Sequence, residues 1–302
     1  MEITSAQNPR IKNLLLLQEK SRARREQGLF VVEGRRELEH CLEAGFEIDS
    51  LFVCPEIAGE KALPSASLRD PVRANAPGKA FSPQTDKAEG LLSRQASAFL
   101  KACRNNSASG YDIFEIPEQL YRKVAYREST EGILAIVKYK SLSLEDLQLP
   151  EHPLVMVLEA VEKPGNLGAV LRSADAAGAD AVLLCDPLTD LYNPNLIRAS
   201  IGAVFTVPTV ACTSEAAIGF LQEHGIQILT AQLQDSSPYY DVDMKRGTAL
   251  VMGTEATGLT PLWRKAASAH IRIPMLGRLD SLNVSVSAAI LLYEAVRQRQ
   301  GC

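Results

Sequence analysis

Residues 281–297 read Ser-Leu-Asn-Val-Ser-Val-Ser-Ala-Ala-Ile-Leu-Leu-Tyr-Glu-Ala-Val-Arg. Apolar spacing over 284–298 predicts a closing helix, yet its approach and first turn are built of Ser and Asn and come soon after a strand-like run at 269–273. The first backbone N–H groups of a helix lack partners, and a Ser or Asn side chain can cap them. Ser281 and Asn283 stand where such caps are needed. One cap would suffice, so the Ser-Leu-Asn-Val-Ser run calls for a second reason.

Upstream of it, strand-like apolar runs at 154–160, 181–185, 204–210, 227–232, 249–252 and 269–273 alternate with helical spacing at 167–177, 194–200, 214–224 and 261–267. Apolar strands interleaved with helices predict an α/β fold with a mostly parallel sheet covered on both faces. Ligands of such sheets sit at the carboxyl ends of the strands. No G-x-G-x-x-G follows the first of these strands, which disfavours a nicotinamide-dinucleotide fold.

The first half has a different texture. It predicts a helix at 9–20, a strand at 28–33, a helix at 35–44 and a strand at 48–54, a small β-α-β start. Residues 64–89 are rich in Pro, Ser, Ala, Gly and Asn and predict a long flexible insertion. A helix at 91–102 and strands at 112–116 and 132–138 follow. The expected division is a first, smaller α+β domain over 1–140, an acidic, Pro-bounded linker over 141–152, and a second domain over 153–302.

With 302 residues and 46% hydrophobic content, the chain can bury a core in each of two domains. It has no run of roughly 18 apolar residues and no signal-like N-terminus, so a cytoplasmic, non-membrane protein is expected. Six Cys form no C-x-x-C pair and four His are scattered, which suggests neither a disulfide framework nor a metal site. The net charge of −4 does not by itself point to nucleic acid. Its distribution does, because Arg10, Lys12, Arg22, Arg24, Arg25 and Arg35 crowd the first segment and could meet phosphates. A solvated helix face would use the same charges.

Three clusters in the second half carry chemistry. The first, Asn166-Leu-Gly-Ala-Val-Leu-Arg172, opens a helix after a strand, where backbone N–H groups can meet an anion. Helical spacing puts Gly165, Gly168 and Arg172 on one face, with the glycines clearing a groove beneath the guanidinium. Alternatively, Arg172 only pairs with Asp175, and Gly178 serves as a C-cap. In the second cluster, Gly253-Thr-Glu-Ala-Thr-Gly-Leu259, glycines permit close backbone approach. A plain strand–turn–helix connection explains the glycines but not Glu255. The third cluster is Ile273-Pro-Met-Leu-Gly-Arg-Leu-Asp-Ser-Leu-Asn-Val-Ser285.

In this order and spacing the clusters resemble the signature motifs of the SpoU (TrmH) family of SPOUT RNA methyltransferases: N-x-G-x-x-x-R, G-x-E-x-x-G-L and I-P-M-x-G-x-x-x-S-L-N-V-S. The resemblance covers 154–300. It extends more weakly to an RNA-binding accessory domain through Ile3–Lys12, Gly28–Gly34 and Thr130–Ala135. It implies a deep trefoil knot in the C-terminal domain, one of the rare exceptions to unknotted topology. It also implies S-adenosylmethionine bent among the knotted loops, held by Gly253, Gly258, Ile273, Leu282 and Asn283. The crowding of three chain segments would supply the second reason for the small polar run.

The resemblance further implies transfer of a methyl group to a ribose 2′-OH of tRNA or rRNA. The catalytic set would be Arg172, Asn166, Glu255, Ser281 and Asn283, and the basic residues of the first segment would bind RNA. Methylation of an RNA base, a catalytically silent RNA-binding assembly factor and a small-molecule α/β enzyme are the competing readings. A homodimer through the C-terminal domain is expected, with Ile290, Tyr293 and Val296 as an apolar stripe that a single-chain core could equally use.

Overall fold

A computed structural model describes residues 1–58, 110–126, 131–254 and 257–300. The expected insertion at 64–89, the helix at 91–102 and Glu255 lie outside the described residues. The chain divides into two compact units, one of Met1–Leu16, Val31–Arg35 and Ile48–Val137, the other of Leu17–Phe30, Arg36–Glu47 and Lys138–Cys302. The division therefore interleaves rather than cutting once near Lys140.

The smaller unit is built on a four-stranded sheet of β1 (Leu29–Glu33), β2 (Ile48–Val53), β3 (Asp112–Glu115) and β4 (Ile133–Lys138), in the order β1-β4-β2-β3. The expected β-α-β start forms as β1, the helix Arg35–Glu43 and β2, but the two strands are not neighbours: β4 lies between them and runs antiparallel to β2. Ile133 to Val137 are all buried, and so apolar a strand belongs in the middle of a sheet. Helices α1 (Pro9–Glu19), α2 (Ser21–Gln27), α3 (Arg35–Glu43), α4 (Pro55–Ala58) and α5 (Glu118–Val124) complete the N-terminal elements.

The larger unit contains seven strands in the order β7-β6-β5-β10-β8-β11-β9: β5 (Leu154–Glu159), β6 (Ala181–Cys185), β7 (Thr209–Cys212), β8 (Gln227–Ala231), β9 (Ser237–Pro238), β10 (Thr248–Met252) and β11 (Ala269–Arg272). Every neighbouring pair is parallel. All six residues of β5 and all five of β6 and β10 are buried, as a sheet covered on both faces requires. The connecting helices are α6 (Pro164–Ala177), α7 (Pro194–Ser200), α8 (Ala203–Thr206), α9 (Ser214–Glu223), α10 (Pro261–Ala266) and α11 (Val284–Gln300). Gly178 ends α6 in the left-handed conformation, φ 66°, as its C-cap reading expects.

The strand expected at 204–210 is a second correction. Residues Ala203–Thr206 form α8, and the strand begins only at Thr209. Gly202, at φ 86°, starts the short helix, and Phe205 is drawn into an aromatic cluster, 5.2 Å from Phe46 and 6.0 Å from Phe30. Tertiary packing here outweighs the strand preference of Val204, Phe205 and Thr206.

Arg24 is the third correction. It was expected to meet RNA, but its side chain is 2% exposed and its Nε donates to Asp190 Oδ2 at 2.6 Å. Its Nη1 donates to the Leu17 and Gln18 carbonyls at 2.7 and 3.1 Å. Asp190 also accepts from the Tyr192 backbone N–H, while the Tyr192 ring stacks on Phe30 at 4.2 Å. Taking a guanidinium out of water is tolerable only when its donors are matched in this way. The reading failed because α2, SRARREQ, has no apolar periodicity to mark an inward face. Arg24→Ala strands the buried Asp190 carboxylate. It should cost about 3–5 kcal/mol, measured as a lowered midpoint in urea unfolding.

Candidate functional site

The first cluster opens α6 directly after β5, with Pro164 in the first turn, where a missing N–H costs nothing. A Cβ on Gly168 would lie 2.5 Å from the Ala199 Cβ and 2.8 Å from the Ser200 backbone nitrogen. Gly168 is therefore the close-packing point of α6 on α7, and the expectation that it clears a groove for Arg172 is corrected. Arg172, one turn on, is exposed and makes no hydrogen bond or ion pair among the described residues. The alternative pairing with Asp175 is not formed, since the Asp175 carboxylate accepts from Thr206 Oγ1 at 2.6 Å.

Asn283 joins the first cluster to the third. Its Nδ2 donates to Asn166 Oδ1 at 3.2 Å, while its Oδ1 accepts from the Ser285 backbone N–H at 3.0 Å and from Ser285 Oγ at 2.6 Å. The Asn283 carbonyl accepts from the Ser287 N–H at 3.0 Å, closing the first turn of α11. Asn283 is thus the cap that the sequence asks for. Ser281 is not a second one: its Oγ lies 3.2 Å from Asp280 Oδ1 on an exposed approach.

Beside this junction is a cleft of about 660 Å³ at the carboxyl ends of β8, β10 and β11. Gly253, Gly258, Ile273, Ser281, Leu282 and Asn283 all line it; Arg172 and Asn166 do not, although Asn166 touches Asn283. The second cluster shapes one wall. A Cβ on Gly253 would fall 2.3 Å from the Gly258 carbonyl group, so only glycine lets the loop fold back on itself there. Gly258 takes φ 68°, a left-handed turn that β-branched or bulky side chains resist.

Sequence reasoning missed Gln232, Leu233, Arg264 and Arg272, which also line the cleft. For Gln232, Leu233 and Arg272 the signal was positional, since residues at the carboxyl ends of parallel strands face the ligand side of such a sheet, whereas Arg264 lies on α10. Gln232 Oε1 is buried with no donor to it among the described residues, although Gln232 Nε2 donates to the Gln234 carbonyl at 2.8 Å. Arg264 and Arg272 bring positive charge to the same walls. A separate cavity of about 530 Å³, lined in part by His40, Phe46 and Lys140, holds none of the motif residues.

Of the six basic residues proposed from the first segment, Lys12 and Arg25 are exposed, and Arg22 pairs with Glu26 at 2.6 Å. Arg10 pairs with Asp112 at 2.9 Å and lies 4.5 Å from the Phe114 ring centre. Arg35 is half-buried, its backbone N–H bonded to Glu131.

The SpoU rRNA Methylase family profile matches residues 153–293, and the MRM3-like substrate binding domain profile matches residues 8–76. A 23S rRNA (guanosine-2′-O-)-methyltransferase of Bordetella pertussis is 40% identical over 176 residues, 57% of this chain and 72% of its own. Its counterpart from Ralstonia nicotianae is 36% identical over 211 residues, 68% of this chain and 84% of its own. A solved RNA 2′-O ribose methyltransferase superposes with TM-score 0.75 at 35% identity, covering 99% of this chain and 100% of that one. An AdoMet-bound rRNA methyltransferase from Sinorhizobium meliloti superposes with TM-score 0.78 at 27% identity, covering 98% and 97%.

The double duty of Asn283 generates a stability test. Asn283→Ala should cost about 1 kcal/mol through loss of the cap, and Asn283→Ser should recover most of it, both read by thermal unfolding. Equal loss in the two variants would mean that the bond to Asn166, not the cap, carries the stabilisation.

Proposed function

The chain belongs to the SpoU rRNA methylase family, and we propose that it transfers a methyl group from S-adenosylmethionine to a ribose 2′-hydroxyl of ribosomal RNA. The observation that carries this reading is the bond between Asn283 and Asn166, which sets the Arg172 helix against the cleft that the other two clusters line.

The cleft fits the cofactor on its own chemistry. Its volume of about 660 Å³ suits a nucleoside-sized ligand, Leu233, Ile273 and Leu282 offer apolar walls, and Gln232 Oε1 is an acceptor with no donor among the described residues. Gly253, Gly258, Ile273 and Leu282 would hold it through backbone and apolar contacts, with Asn283 at the edge. When bound, the cofactor supplies a methyl carbon made electrophilic by its sulfonium.

A hydroxyl is a weak nucleophile until its proton is drawn away or its developing charge is met. Arg172 meets that charge: it clamps the neighbouring phosphate and stabilises the forming alkoxide. Guanidinium groups keep their proton in proteins, so the hydroxyl proton leaves to phosphate or water rather than to Arg172. Asn166 and Asn283 fix α6 relative to the cleft. Ser281, on the cleft wall, is placed to orient the ribose.

Lys12 and Arg25, exposed on the N-terminal helices, supply phosphate contacts to the RNA. The family's trefoil knot accords with the chain path. After β11, beyond β8, residues 273–283 return past the cleft, and α11 packs on α6, β5 and β10. A homodimer through the C-terminal domain would cover Val286 and Tyr293 on α11 together with Leu276 and Leu279, all of them exposed. No described helix is long and apolar enough to cross a membrane, which accords with work on ribosomal RNA in the cytoplasm.

Three outcomes test this reading. Arg172→Ala should slow single-turnover methyl transfer by about 10²–10³ while leaving cofactor affinity unchanged, because its contact forms mainly in the transition state. A near-native rate would remove Arg172 from the chemistry. Cutting the chain near Lys140 is a poor test of RNA binding, since it takes Leu17–Phe30 and Arg36–Glu47 from the larger unit. Charge reversal is cleaner: Lys12→Glu and Arg25→Glu should each flatten the slope of log affinity against log salt by about 0.7–0.9, and an unchanged slope would make them a solvated face. Sedimentation at micromolar concentration should give a dimer; an active monomer would overturn that part.

A further inference from the structure

The carboxyl ends of β6 and β7 carry a pair of groups that methyl transfer does not use. Cys185 and Cys212 are register partners on these parallel neighbours, so their side chains leave the sheet on the same face. Both are free thiols, Cys185 buried and Cys212 half-buried. Neighbouring strands lie about 4.8 Å apart, inside the roughly 4.4–6.8 Å of Cα separation that disulfides accept. The neighbouring Cys185 thiol holds Cys212 below its ordinary range, while the nearness of Cys212 and burial push Cys185 up.

What surrounds the pair connects it to the cleft. Cys185 shares one apolar cluster with Leu259 and Trp263, and Cys212 packs against it. Trp263 is the only tryptophan in the chain and is fully buried. Its Nε1 donates to Ser214 Oγ at 3.0 Å, and Ser214 Oγ donates at 2.6 Å to Asp186, the residue after Cys185. Leu259, four residues before Trp263, is part of the cleft wall. Close-packed interiors transmit small displacements, so drawing the two sulfurs into bonding distance disturbs that wall.

We propose that Cys185 and Cys212 form a redox modification site: hydrogen peroxide converts them to a disulfide, and the repacking around Trp263 and Leu259 weakens cofactor binding. Cys212, the reachable sulfur, attacks one peroxide oxygen as thiolate; the S–O bond forms as the O–O bond breaks, and the departing hydroxide takes a proton to become water. Cys185 attacks the Cys212 sulfur and passes its proton to the departing hydroxide. The S–S bond forms, the S–O bond breaks, and a second water leaves. The two thiols lose the two electrons that the peroxide gains, and a dithiol reductant reverses the change. The effect on binding rests on the reading of the cleft as the S-adenosylmethionine site.

The test treats the full chain with hydrogen peroxide and reads three quantities. Peptide mapping should find residues 185 and 212 linked. Trp263 emission should change and return with dithiothreitol, and S-adenosylmethionine affinity should fall severalfold. Cys212→Ala and Cys212→Ser should bind the cofactor as the reduced protein does and lose all three responses. Sulfinic acid on Cys212 without the linkage would overturn the proposal, as would a linkage that leaves emission and affinity unchanged. A reduced protein that never binds S-adenosylmethionine would count against the functional reading instead, because the linkage and the emission are read without cofactor.

Discussion

Asn283 uses both ends of one amide. Its oxygen terminates the last helix by accepting from Ser285, and its NH₂ reaches Asn166 at the start of α6. A hydroxyl side chain could cap the helix, but it is too short to cap it and also span to a second helix. The contact ties the helix that carries Arg172 to the loop that carries the cleft wall, beside the packing of α11 on α6. Fixing two elements with one short polar side chain also keeps its own ordering entropy low.

The same economy of space governs the glycines. Gly168 lets α6 and α7 meet backbone to backbone, and Gly253 lets its loop close over residues 258 and 259. In neither place is the glycine there for flexibility; each removes a Cβ from a point where another chain segment already lies. A fold that brings separate segments around one cleft creates many such points. Each trades the extra entropy that glycine loses on folding for close packing.

Much of the larger unit was legible because buried parallel strands are written as unbroken apolar runs, such as Leu154-Val-Met-Val-Leu158 and Ala181-Val-Leu-Leu-Cys185. Their order was not legible. The insertion of β10 between β5 and β8 depends on how the intervening segments cross, which no local pattern records. The motif residues that gather at the cleft were legible from the resemblance, whereas Gln232 and Leu233 were not, since nothing local separates them from any strand end. Arg24 and Val204–Thr206 failed for a shared reason. In both cases a partner remote in sequence, Asp190 for the guanidinium and Phe46 for the Phe205 ring, reversed the local preference.

Arg24 and Arg172 show how little charge alone decides. Arg24 is buried against the Asp190 carboxylate and the Leu17 and Gln18 carbonyls, so its charge is met within the protein. Arg172 has an acidic residue three positions on, yet Thr206 takes the Asp175 carboxylate. Were Asp175 turned toward Arg172, an incoming phosphate would have to displace it, and the gain on binding would shrink by whatever that pair was worth. By engaging Asp175 with a hydroxyl from α8, the fold leaves the guanidinium exposed and unpaired with Asp175. Under the proposed function, a guanidinium with no partner among the described residues is free to meet charge that develops only in the transition state.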